Sequence, residues 1–182
     1  MPDYVVLLRA IGPGNTMAMA DLRAMCVDLG MEDPETWIAS GNLLVRARQR
    51  TPHRVAALIE KGIRQGFPEV NTDAVVRDAK SWRAYAEANP FAGDPAAIPK
   101  ILHLGLSNDP PRDDTLETLQ TRATNGERIG LVGDALWIDY GEIGAGKSRL
   151  TPAFINKAFG SPVTQRNLNT VNKLLDLVEA RR

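Results

Sequence analysis

The sequence predicts an α+β protein, a duplication of two ferredoxin-like (βαββαβ-type) halves with extra C-terminal helices. Two observations carry this expectation. Over residues 1–78, apolar runs and turn residues read strand, helix, strand, strand, helix, strand. Over residues 99–160, most of that order returns as strand, helix, strand, strand, helix. The halves share element order without convincing sequence identity.

The elements follow in chain order. Residues 4–8 are a short apolar run of strand formers, closed by Gly12-Pro13-Gly14-Asn15. Residues 17–29 have helical periodicity, and Gly30 is a C-terminal stop. Strands are expected over 36–40 and 43–47, around a Ser40-Gly41-Asn42 turn. Thr51-Pro52 starts a helix that Gly66 ends. A strand over 74–77 and a helix over 81–89 complete the first part, because Pro90 forces that helix to stop. The second part reads as a strand over 101–106, a helix over 113–123, and strands over 129–132 and 135–140 joined by Gly133-Asp134. Thr151-Pro152 caps a further helix to Phe159, and Gly160 stops it. A last helix is expected over 165–180, with Leu168, Val171, Leu175 and Val178 as its buried stripe. The expected organisation is a first half over 1–78, a linking helix and loop over 79–98, and a second half with the C-terminal helix over 99–182.

Composition narrows the function classes. The chain has 182 residues, 43% of them hydrophobic, enough for a packed interior. Lys plus Arg and Asp plus Glu are 22 each, and the pI is about 6.7. Nucleic-acid binding is disfavoured, since phosphate neutralisation calls for a basic excess. Cys26 stands alone, so no internal disulfide forms and a cytoplasmic, reducing location is expected. It sits on the apolar face formed by Leu22, Met25 and Leu29, which makes it a small buried hydrophobe. No apolar run is long enough to span a bilayer, and the N-terminus enters a strand at once rather than a signal peptide.

The most conspicuous motif is Gly141-xxxx-Gly146-Lys147-Ser148, which satisfies the letters of a phosphate-binding loop. Its context is wrong. The following helix starts at Thr151-Pro152 rather than at Lys147-Ser148, and no downstream apolar strand ending in Asp is available to hold a metal. The chain is therefore expected not to hydrolyse ATP or GTP. The motif still suits a turn whose free N–H groups and Lys147 bind an anion.

Other polar residues divide between ligand contact and plain structure. Arg9 ends an apolar strand and suits either a solvated strand end or a ligand contact. Ser40 and Asn42 flank Gly41, where turn chemistry is the simpler reading. Arg166, Thr170 and Lys173 share one face of the expected last helix, and Arg166 and Asn167 lie in its first turn, where an anion is favoured. His53 reads as solvated, and His103 lies in an apolar strand without a catalytic neighbour. No His/Cys spacing suggests a metal, no cofactor is implied, and no nucleophile–base pair can be named.

Five motifs in order carry a family resemblance: LLR at 7–9, SGN at 40–42, ANPF at 88–91, GKSRLT at 146–151 and TQRNLNTVNKL at 164–174. On these the chain resembles the bacterial family called domain of unknown function 1697. The resemblance implies the duplicated ferredoxin-like fold and supplies no reaction. This chain has Ala10-Ile11-Gly12 where the family usually shows Gly-Ile-Asn, and Leu168 where it often has an aromatic.

The expected function is binding of a small anionic or phosphorylated ligand. The expected site is Arg9, Ser40, Asn42, Gly146, Lys147, Ser148, Arg166, Asn167 and Thr170, with the last five side chains converging. The alternative is an enzyme using the same residues. A nucleic-acid binder is the weakest reading, since the strand over 43–47 has no aromatics for stacking.

Overall fold

A computed structural model describes residues 1–181. The chain folds as two units, Met1–Ala84 with Leu174–Arg182, and Tyr85–Lys173. It is a mixed α+β protein with two four-stranded antiparallel sheets and six α-helices among the described residues.

In the first unit β1 (Asp3–Leu8) leads to α1 (Met19–Asp28), β2 (Glu32–Trp37), β3 (Asn42–Arg46), α2 (Pro52–Gly66) and β4 (Ala74–Asp78). The sheet order is β2-β3-β1-β4, with every neighbouring pair antiparallel. Alternation turns Tyr4, Val6 and Leu8 of β1 to one face, where they meet Leu22 and Cys26 of α1 and Val55, Ile59 and Ile63 of α2. Burial alone pushes the Cys26 thiol up to about 12, so it is inert packing. Thr51 caps α2 by accepting from the Arg54 N–H at 3.4 Å, as its Thr-Pro start predicts.

The second expected strand lies elsewhere. It begins at Glu32 and ends at Trp37, so Ser40 belongs to the turn. The sequence Glu-Asp-Pro-Glu-Thr-Trp has no apolar alternation, and its one large apolar residue, Trp37, is exposed. It is tolerated because β2 is the sheet edge, where Pro34 removes no needed donor, and the register shifts between Glu32 and Glu35.

α3 (Ala79–Glu87) follows, and the second unit continues with β5 (Leu102–Leu106), α4 (Thr115–Gln120), β6 (Arg128–Val132), β7 (Ala135–Asp139), α5 (Pro152–Phe159), β8 (Thr164–Asn167) and α6 (Leu168–Glu179). Its sheet order is β6-β7-β5-β8, again antiparallel throughout. Counted within each unit, both sheets have the order 2-3-1-4. Leu136, Ile138 and Tyr140 pack against Leu119, Ile155 and Phe159 to form this core. Thr151 caps α5 through the Phe154 N–H at 3.3 Å, and Gly160 ends it at φ 92°.

One correction matters for function. Residues 164–167 are not the first turn of the last helix but a strand, β8, paired with β5. Asn167 instead caps α6, its Oδ1 accepting from the Thr170 N–H at 3.0 Å. The helix dipole thus falls at Leu168, and Arg166 is a strand residue.

Candidate functional site

The second unit holds a cleft of about 590 Å³ beside the start of β6, the end of β7 and the Gly141 turn. Its polar centre is Arg128. Antiparallel register sets Arg128 opposite Asp139. Its Nε donates to Asp139 Oδ2 at 3.0 Å, Nη2 donates to the same oxygen, and Nη1 donates to Asp94. The Phe91 ring lies under the guanidinium, 4.9 Å from centroid to Cζ. The two carboxylates raise the Arg128 pKa further above neutrality, and the Arg128 hydrogen bond holds Asp94 below the usual carboxylate range.

The ANPF segment builds one wall of this arrangement. Asn89 is buried and folds the chain by accepting from the Phe91 N–H at 3.0 Å. That turn seats Pro90 on Gly130, where any added Cβ would lie 2.7 Å from Pro90 Cγ. Phe91 is thereby delivered beneath Arg128. Pro95, Ile98 and Ile101 supply the apolar wall, and Gly126, Gly141 and exposed Glu142 the rim. Asp139 is nearly closed to solvent and also accepts from the Gly141 N–H at 3.0 Å, tying the rim to the sheet.

The phosphate-loop lookalike becomes two short 3-10 turns, Gly141–Ile143 and Ala145–Lys147. Gly146 and Lys147 are exposed. Ser148 is buried: its Oγ donates to Glu127 Oε1 at 2.6 Å and accepts from the Leu150 N–H at 3.1 Å. The hydroxyl that would hold magnesium in a nucleotide hydrolase is thus committed to a carboxylate. ATP or GTP with magnesium should show no phosphate release above background, and Lys147→Ala should leave that unchanged in a phosphate-release assay.

Burial pushes the Glu127 carboxyl up, but hydrogen bonds from Ser148 and from the Asn125 N–H outweigh it and leave it below its ordinary value. A carboxyl lowered in the folded state stabilises it above the unfolded-state value, and that contribution fades as pH falls through the folded value. Ser148→Ala removes one lowering bond. The Glu127 carboxyl should then titrate at higher pH by carboxyl NMR, and the second unit, less stable near neutrality than the parent, should lose less of its remaining stability on acidification, because less of the lowering is left to be lost.

The remaining sequence-nominated residues have partners of their own. Arg9 pairs with Asp73, with Nη2 at 2.9 Å from Oδ2. Asn42 is buried, and its Nδ2 donates to the Trp37 carbonyl at 3.1 Å and to Ser40 Oγ at 3.0 Å, so Ser40 and Asn42 hold their own turn. Arg166 donates from Nη1 to Thr164 Oγ1 at 2.9 Å and to the Gln165 carbonyl at 2.8 Å, and burial pulls its pKa down to about 10. Gly146, Lys147 and Ser148 stay together by chain continuity, as do Arg166, Asn167 and Thr170. Register puts Arg166 on β8, at the opposite sheet edge from β6, whose start adjoins the Ser148 partner Glu127. Three strand spacings separate those edges, about 14 Å.

Sequence reasoning missed Arg128, Asp139, Asp94 and Glu127. The usable signal was the register of the β6–β7 hairpin, which the Gly133-Asp134 turn fixes and which sets Arg128 across from Asp139. His103 needs no functional role: burial lowers its pKa, and its ring meets Tyr140 edge-on at 5.0 Å. Among the described residues no His, Cys, Asp and Glu group is placed to hold a metal, and no helix is long and apolar enough to cross a membrane.

One solved structure shares this fold. A conserved bacterial protein, SP0830 from Streptococcus pneumoniae, superposes with a TM-score of 0.76 at 21% identity, over 98% of this chain and 99% of that one. An unknown protein from Galdieria sulphuraria aligns at 12% identity over 91% of this chain and 96% of that one, with a TM-score of 0.27. No curated protein matches. The sequence model of the family described as "Protein of unknown function (DUF1697)" matches residues 1–137, and the chain belongs to that family.

Proposed function

We propose that this protein is a binding module for a small polar ligand, seated in the Arg128 cleft of the second unit. The observation that carries the reading is the convergence of Arg128, Asp139 and Glu142 with an apolar wall around one ligand-sized hollow. Asp94 and Asp139 already neutralise Arg128 and leave a carboxylate surplus, which Glu142 adds to. The favoured occupant therefore offers an amine or hydroxyl donor to the carboxylates and an apolar portion to Pro95 and Ile98.

The small anionic or phosphorylated ligand expected from the sequence is the second reading. It suits the outer side of the same turn, where Lys147 and Arg149 are exposed. The alternative is an enzyme using the same groups; the hydrogen bonds that hold the Glu127 carboxyl below its ordinary value make it a weaker base. The shared strand order of the units supports their descent as duplicated ferredoxin-like halves. The single buried cysteine supports a cytoplasmic home.

Titration of the labelled protein with 1,4-diaminobutane and, separately, with inorganic phosphate distinguishes the readings. Diamine shifts at Gly126, Gly141 and Glu142 amides, weakened several-fold by Glu142→Gln, are the expected result. Phosphate shifts centred on Lys147 select the anionic reading. Shifts from neither probe remove this hollow as a binding site.

A further inference from the structure

The first unit carries a cationic feature of its own. β3 and β4 run in the same direction, both antiparallel to β1, so their exits flank the entry of β1 at one end of the sheet. Arg48 and Arg50 leave the exit of β3, and Lys80 leaves the exit of β4 at the start of α3. Two adjoining hollows open there, of about 520 and 420 Å³, and Pro2 and Arg50 line both.

The backbone that mounts these cations is pinned. The Ala47 N–H donates to the Pro2 carbonyl at 3.2 Å, and Tyr4 Oη donates to the Gln49 carbonyl at 2.7 Å, between the two arginines. On the other side Asp78 Oδ1 accepts from the Ser81 N–H at 2.7 Å and fixes the turn into α3.

The charges there do not cancel. Asp3 is held by Arg46 and Arg181, Arg83 is held by Glu179, and Asp78 is engaged at the helix start. Among the described residues Arg48, Arg50 and Lys80 are exposed and make no ion pair or side-chain hydrogen bond. A chain of zero net charge thus gathers three uncommitted cations around one pair of hollows.

We propose that this end of the first unit binds a small molecule bearing two or more phosphate or carboxylate groups, bridged between Arg48, Arg50 and Lys80. Spacing favours a multiply charged ligand, because the cations leave β3 and β4, which lie on either side of β1 about two strand spacings apart. The arginines offer forked donors to a phosphate or carboxylate, and the lysine a point charge. Nucleic acid fits less well. Tyr4 is buried, so no exposed aromatic of the hollow offers a base-stacking platform.

The test is calorimetric titration of the full chain with inorganic tripolyphosphate and, separately, with citrate, at low salt. Saturable binding should weaken at least tenfold in Arg48→Ala/Arg50→Ala/Lys80→Ala and should fall as salt rises. The comparison variant is Arg54→Ala/Lys61→Ala/Arg64→Ala, which removes three exposed cations of α2. It should bind as the parent does, and both variants should keep the parent circular dichroism spectrum. The preferred probe separates a phosphate source from a carboxylate one. Absence of binding overturns the proposal, as does equal weakening in both triple variants. Much tighter capture of a single-stranded oligonucleotide through the same three residues overturns it in favour of a nucleic-acid surface.

Discussion

Arg128→Ala is expected to destabilise the second unit and lower its melting midpoint by several degrees. The cause is what the substitution leaves behind. The Asp139 side chain is only 4% exposed, whereas that of Arg128 is 40% exposed. Removing the arginine strands a carboxylate in the sheet with the Gly141 N–H as its remaining donor. Water reaching the vacated guanidinium position softens this cost relative to a fully buried pair. Arg128→Lys should recover little, because one ammonium cannot bond Asp94 and Asp139 through a planar fork. Arg128→Ala/Asp139→Asn should be more stable than Arg128→Ala alone, since it removes the stranded charge. Thermal unfolding of the four proteins checks this. A near-neutral Arg128→Ala would reduce the cluster to surface decoration and remove the strongest support for the cleft.

The sequence made much of this fold legible, and its failures have physical reasons. Helices beginning at Thr51-Pro52 and Thr151-Pro152 were readable because cap chemistry is local. β1 and β7 were readable because burial demands apolar runs. β2 and β8 were not, because edge strands accept polar residues that carry no period. Missing β8 displaced the supposed anion site, since Arg166 and Asn167 lost the helix turn on which that reading rested. Lys147 and Ser148 were conspicuous as letters, but the role of Ser148 depends on Glu127, 21 residues away in sequence. Arg128 with Asp139, and Arg48 with Lys80, are likewise products of register and strand direction. Pattern reading finds such pairs only after the pairing of strands is known.

Gly41→Ala is expected to cost the first unit about 2–4 kcal/mol although it adds a single methyl group. Gly41 sits at φ 78°, where a side chain alone costs about 1–2 kcal/mol. Space is also missing: an added Cβ would lie 2.7 Å from Leu8 Cβ, 3.1 Å from Ile11 Cγ1 and 3.3 Å from the Leu8 carbonyl oxygen. The neighbours cannot yield easily. Leu8 is fully buried, and its N–H donates to the Gly41 carbonyl at 2.8 Å, which ties the turn to the end of β1. Relief of the clash would therefore separate β1 from β3, the central pair of that sheet. Ser40→Ala gives the contrast. It removes one acceptor from Asn42, whose Nδ2 keeps the Trp37 carbonyl, so it should cost under about 1 kcal/mol. Amide hydrogen exchange at Val6 and Leu44 measures both effects in the first unit itself. Protection that falls strongly in Gly41→Ala and little in Ser40→Ala makes the Ser40-Gly41-Asn42 segment a structural clasp. The reverse order of effects would show that the methyl is accommodated and that the Ser40 hydroxyl, not the glycine backbone, holds the turn.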